Sequence, residues 1–155
     1  MGRPKLSNTS DSNGRKLKNY RKYLSKLVKY AKSVDLSVCI KEDDDQGRYI
    51  PAKRSIVIDE DMDESTIIAT ILHELGHAYD FAHLDQNTKA TEKTNEAYGV
   101  IYGDTFTHRH KTIVVEAERR AWKAGRAIAY QLRIKLGKWY DTEEESGVKS
   151  YVDHE

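Results

Sequence analysis

His73-Glu74-Leu75-Gly76-His77, preceded by Ile67-Ile68-Ala69-Thr70-Ile71-Leu72 and followed by Ala78-Tyr79, is the stretch on which the reading of this chain turns. The surrounding apolar residues predict a helix. On a helix, histidines four apart share one face, so both imidazoles reach a single cation. The carboxylate beside the first histidine is placed to take a proton from a water that such a cation acidifies, which is the chemistry of metal-assisted hydrolysis. A helix that is merely packed in a core gains nothing from this spacing. His73 and His77 are therefore read as ligands of Zn²⁺ and Glu74 as the general base.

A catalytic zinc takes three protein ligands and keeps a fourth position for water. Helical projection of the segment from about Thr112 to Leu136 lines up Glu118, Ala121, Trp122, Gly125, Ala129, Leu132 and Leu136. Every member after Glu118 is apolar or small, so Glu118 heads a core-facing stripe, where a carboxylate needs a compensating partner. Ala121 and Gly125 also allow close approach of a neighbouring helix. Glu116 falls with Arg120 and Lys123 on a solvated face. His83 is the alternative third ligand: it completes H-E-x-x-H-x-x-x-x-x-H, but only if the chain breaks near Asp80. His108 and His110 remain as further candidates.

The segments around this motif are short and varied. Residues 1–14 are polar and basic and read as a disordered arm. A basic amphipathic helix follows, with Leu17, Tyr20, Leu24, Leu27, Val28, Ala31 and Val34 on its apolar side. Extended pieces are expected over 36–40, 48–50 and 54–59, punctuated by Gly47 and Pro51. Their short connections imply an antiparallel sheet. Asp61 is expected to cap the motif helix, with Glu64 answering from its first turn, and the helix to fade near His83. A short helix is expected over 92–102, and residues 137–155 read as a frayed acidic tail. The expected fold is thus α+β: a two- to three-stranded sheet packed against the motif helix and a long C-terminal helix, in one domain over 15–136.

Composition sets limits on the function. The net charge of +1 conceals a polar chain: residues 1–33 hold ten Lys or Arg and one Asp, a net of +9, leaving −8 elsewhere. That arm suits nucleic acid, although a solvated helix face is the simpler reading. Cys39 is the only cysteine, which excludes a disulfide framework and a cysteine-based zinc site. No apolar run approaches the ~20 residues that cross a bilayer, so no membrane partner is expected. The N-terminus reads as free of a secretory signal, and a cytoplasmic location is expected.

The chain resembles the zincin superfamily of metallopeptidases, and within it the compact ImmA/IrrE-like peptidases of bacteria and phages. The resemblance runs from about Leu36 to Ala129. It rests on Ile71-Leu72-His73-Glu74-Leu75-Gly76-His77-Ala78 and on Glu118-Arg119-Arg120-Ala121-Trp122-Lys123-Ala124-Gly125, of the form E-x-x-A-x-x-x-[GA]. The resemblance implies that Glu118 is the third zinc ligand. It also implies that an edge strand beside the cleft pairs with extended substrate, a role expected here of residues 54–59. One position departs from the pattern. The family has Asn or Asp four residues after the ligand Glu, to support a zinc histidine, and this chain has Trp122. An indole N–H cannot accept a hydrogen bond from an imidazole, so Asp80 is the expected orienting group. An additional oxyanion donor is expected from Tyr98, Tyr102, His108 or His110.

The reading that follows is a zinc endopeptidase acting on a protein or peptide, for example a regulator met in trans. Two others stand beside it: a zinc-holding regulatory module without turnover, and a DNA-associated protease resembling the SprT-like group that uses the basic arm.

Overall fold

The computed structural model describes residues 16–43, 47–84, 93, 96–98 and 108–153. The arm over 1–14, Tyr102 and the side chain of His108 lie outside them. The elements run α1 (Tyr20–Ser33), β1 (Ser37–Lys41), β2 (Gly47–Ile50), a 3-10 turn (Pro51–Lys53), β3 (Ser55–Asp59), α2 (Glu64–Leu84), α3 (His108–Gln131) and α4 (Lys138–Val152). Of the helix expected over 92–102, residues 93 and 96–98 are described, and they are helical. The α+β class is as expected.

The sheet is mixed, not antiparallel. Its order is β1-β3-β2, with β1 parallel to β3 and β2 antiparallel to β3. Consecutive strands do reverse direction, as short connections require. The chain leaves β1, passes one strand position to lay down β2, and returns through Pro51–Lys53 to place β3 between them. The first and third strands then run the same way. The central position explains why residues 56–59 of β3 are all buried, while β1 alternates between exposed and half-buried residues. Residues 54–59 therefore supply no sheet edge. The edge beside α2 is β2: a Cβ on Gly47 would overlap the Thr70 methyl.

The helix ends are set by backbone geometry rather than by glycine. Ile134 N–H donates to the Ala129 carbonyl at 2.8 Å and Arg133 sits at φ 58°, a Schellman closure that stops α3 at Gln131 instead of Leu136. Leu36, bonded to the Ala31 carbonyl at 2.8 Å with Asp35 at φ 62°, closes α1 in the same way. In both cases a buried aliphatic residue follows the left-handed one, and its burial offsets the strain. The cap expected at Asp61 does not form. Asp61 N–H donates to Asp59 Oδ1 at 3.2 Å, and the Asp63 carbonyl accepts the first helical bond from Ile67 at 2.9 Å. Glu64 instead accepts Leu17 N–H at 2.8 Å, tying the entry of α1 to the start of α2.

One hydrophobic core joins α1, β3, α2, α3 and α4. At its centre α2 and α3 cross antiparallel with almost no space between them. A Cβ on Gly76 would overlap the Ala121 carbonyl oxygen, and one on Gly125 would lie 2.7 Å from the Leu72 carbonyl oxygen. The acidic segment after Gly137 is not frayed. It folds as α4, with Tyr140 and Val148 buried. Tyr140 Oη donates to the Trp122 carbonyl at 2.6 Å, and Arg126 on α3 holds Asp141 and Glu144 at 2.9 and 2.8 Å. Among the described residues, no helix is long and apolar enough to cross a membrane.

Candidate metal centre

The close crossing decides what faces what. With Gly76 against Ala121 and Leu72 against Gly125, the helices lie close enough for Glu118, one turn before Ala121, to reach both His73 and His77. Glu118 Oε1 lies 3.1 Å from His73 Nε2, Glu118 Oε2 lies 2.9 Å from His77 Nε2, and the two Nε2 atoms are 3.1 Å apart. These three residues form the one group of His, Cys, Asp and Glu side chains among the described residues whose donor atoms converge in this way.

The donor set fits a small dication. Zinc–nitrogen and zinc–oxygen bonds of ~2.0–2.2 Å in a tetrahedron put neighbouring ligand atoms ~3.3–3.5 Å apart. The observed triangle is only slightly tighter. Glu118 is 3 % exposed, and a carboxylate buried so deeply requires compensating positive charge. Without a metal, a proton on His77 contributes it. Burial by itself would raise the Glu118 pKa, but hydrogen bonds from His73 and His77 and their charge hold it far below the usual carboxylate range. Burial would likewise lower His77, yet the hydrogen bond and charge of Glu118, with the charges of Glu74 and Asp80, keep its pKa above the ordinary 6.5. The site is built for cationic charge.

The surrounding residues complete a cleft of about 380 Å³. Glu74, 8 % exposed, lines it beside His73 and Glu118. Gly47 at the start of β2 forms one border, and Glu143, Ser146, Ser150 and Tyr151 of α4 form the opposite wall. Tyr98 Oη donates to Glu118 Oε2 at 2.6 Å, and its ring meets His77 edge-on at 6.4 Å. Of the four residues named as oxyanion donors, Tyr98 is thus beside the centre, with its hydroxyl committed to Glu118.

The remaining sequence candidates are placed as follows. His83 is exposed on the same unbroken helix, its ring on Tyr79 and its Nδ1 3.1 Å from the Tyr79 carbonyl, outside the converging group. Asp80 is held by Arg120 through two hydrogen bonds of 2.9 and 3.1 Å, and reaches His77 through charge. Glu116 is exposed, as the projection requires. Trp122 does not hydrogen-bond to an imidazole; it stacks on His73 with ring centroids 4.1 Å apart and planes 17° from parallel. His73 Nδ1 and Trp122 Nε1 are both buried without a hydrogen-bond partner among the described residues.

Sequence reasoning missed the α4 wall. Its signal was present: Tyr140, Val148 and Tyr151 recur at helical spacing inside the acidic segment, and charge hid it. No family model matches the chain, and no curated protein or solved structure matches it significantly.

Proposed function

We propose that the chain is a zinc-dependent peptidase of the zincin type. The observation that carries this reading is the convergence of His73 Nε2, His77 Nε2 and the Glu118 carboxylate beside a buried Glu74. A zinc ion held by these three residues would supply Lewis acidity and a water acidified towards neutral pH. Glu74 accepts the proton of the attacking water and passes it to the leaving amine. Its burial keeps bulk water from competing for that proton. Among the described residues β2 is an outer strand of the sheet, and with Gly47 at the cleft it is the strand that would pair with an extended peptide. Tyr98 is within reach of the developing oxyanion if its hydroxyl turns away from Glu118.

The decisive comparison is Glu74→Gln against the parent in the same preparation. Zinc content should be unchanged, since Glu74 is outside the ligand triangle, and cleavage of a fluorogenic peptide library should fall at least ~100-fold. A Gln variant that cleaves like the parent ends this mechanism. A second reading, a zinc-holding module without turnover, draws on the unpartnered His73 Nδ1, since zinc histidines ordinarily donate that proton to an acceptor. It predicts stoichiometric zinc and no cleavage by the parent itself.

A further inference from the structure

Two stretches of the chain carry charge of one sign only. Residues 16–33 and residues 119–140 each hold seven Lys or Arg and no Asp or Glu. The fold joins them: Lys26 Nζ donates to the Leu132 carbonyl at 2.8 Å, and Lys135 N–H donates to Tyr23 Oη at 3.3 Å. Some of this charge is neutralised elsewhere, Arg120 by Asp80 and Arg126 by α4. At the junction itself stand the outer face of α1 and the turn between α3 and α4, where Arg133, Lys135 and Lys138 are exposed.

Among these cations is Tyr130, 87 % exposed. Tyr130, Arg133 and Lys135 border one surface hollow of about 500 Å³. The ledge beneath is anchored in the core: Ala129 and Ile134 are buried, and Ile134 N–H donates to the Ala129 carbonyl in the Schellman closure. Arg133 occupies a left-handed position that glycine fills at lower cost, and its charge stands beside Tyr130 at the rim of the hollow.

We infer that α1 and the α3–α4 turn form a docking surface for single-stranded nucleic acid, with Tyr130 stacking on a base and Arg133 and Lys135 on neighbouring phosphates. Cations that track a backbone around an open aromatic ring are the chemistry of such sites. An acidic peptide would use the cations and leave the ring idle. An anionic bilayer calls for a row of exposed apolar side chains, and these two stretches expose only Val28 besides Tyr130. Tyr130 lies beyond Gly125, which packs on Leu72, so α3 carries it away from the metal residues. Twelve residues of helix, ~18 Å, separate Tyr130 from Glu118, so a strand stacked there leaves the metal cleft open. The inference is therefore independent of the proposed hydrolysis.

The test is fluorescence anisotropy of the full chain with labelled oligo-dT and oligo-U of about 20 nucleotides, between about 50 and 200 mM salt. Affinity should fall steeply with salt for at least one of them. Tyr130→Ala should weaken binding about fivefold or more, while Tyr130→Phe keeps the ring and the affinity. Arg133→Ala with Lys135→Ala should lower the log–log salt slope by about 1.4. Arg133→Gly should fold at least as stably as the parent and still weaken binding, which separates lost contact from lost fold. Equal affinity of Tyr130→Ala and parent overturns the inference. So does binding to phosphatidylserine vesicles with the same dependence on salt and on Tyr130.

Discussion

Gly76→Ala adds one methyl group to the α2–α3 crossing, and its consequence can be worked out from the geometry. Considered as a helix residue alone, alanine should stabilise by about 1 kcal/mol over glycine. The new Cβ, however, would overlap the Ala121 carbonyl oxygen. That obstacle is backbone, so no rotamer change relieves it, and the helices must part by about 1 Å to restore contact distance. Overpacking of this kind costs about 1–3 kcal/mol, and a backbone obstacle belongs at the upper end. The net loss is about 2 kcal/mol, a fall in Tm of about 4–8 °C for a chain of this size.

The larger effect is on the metal centre. Ligand distances in a working site are held to about ±0.2 Å, and a shift of about 1 Å carries Glu118 out of range of both imidazoles. Zinc affinity should fall by about 100-fold or more, beyond the usual effect of an outer-shell change. Competition against a chromophoric chelator reads the affinity, and thermal unfolding in excess EDTA reads the apoprotein separately. A folded Gly76→Ala variant that binds zinc as the parent does would show that the glycine crossing does not place Glu118. Gly125→Ala is the graded companion. Its Cβ would lie 2.7 Å from the Leu72 carbonyl oxygen, further along α3 from Glu118, so stability should fall with a smaller loss of zinc.

Other perturbations separate the parts of the site. Zinc affinity should drop as the solution is acidified through the raised pKa of His77, by up to about tenfold per pH unit for each proton displaced, measurable by titration at several pH values. In the apoprotein the signs differ: the raised His77 stabilises below 6.5 and loses its contribution as pH rises, while the depressed Glu118 stabilises above 4.5 and loses its contribution only in stronger acid. Apoprotein stability from this cluster should therefore be greatest between those two values, as seen by denaturant unfolding across pH. Tyr98→Phe removes the 2.6 Å hydrogen bond to Glu118 and should weaken zinc about 10-fold with little change in apoprotein Tm. Tyr140→Phe removes the 2.6 Å hydrogen bond to the Trp122 carbonyl, which keeps its place in the helical ladder of α3, and should cost about 0.5–1.5 kcal/mol in chemical unfolding, without altering cleft chemistry.

What could be read from the residues was whatever depends on helical period. His73 and His77 share a face because 3.6 residues per turn requires it, and the same period sets Glu118 at the head of the Ala121–Trp122–Gly125 stripe. The small residues of that stripe also announced the close crossing. Strand order was not legible, because short connections fix the direction of consecutive strands but not which strand enters the middle. Hence residues 54–59 lie at the centre of the sheet and β2 at its edge. The end of α3 was obscured because Arg133 takes a left-handed position where glycine would have advertised the stop, whereas the apolar stripe closing at Val34 did mark the end of α1. Helix α4 was hidden by its acidic surface, although Tyr140 is fully buried within it.

Trp122 shows how this site trades one interaction for another. With zinc on Nε2, the His73 ring would carry its proton on Nδ1, a buried nitrogen that has no hydrogen-bond partner among the described residues. An unsatisfied buried donor costs about 1–3 kcal/mol. The stacked indole returns about 0.5–1.5 kcal/mol and fixes the plane of the ring, but leaves rotation within that plane less constrained than a hydrogen bond would. Trp122→Asn would supply an acceptor, yet it would also remove the side chain that packs on His73 and Tyr140. Emptying that volume costs about 3–5 kcal/mol, more than the satisfied bond restores. The variant should therefore be less stable than the parent by about 2 kcal/mol or more, while its folded fraction binds zinc more tightly. If instead it loses stability and zinc together, the stack and not the missing acceptor governs the orientation of His73.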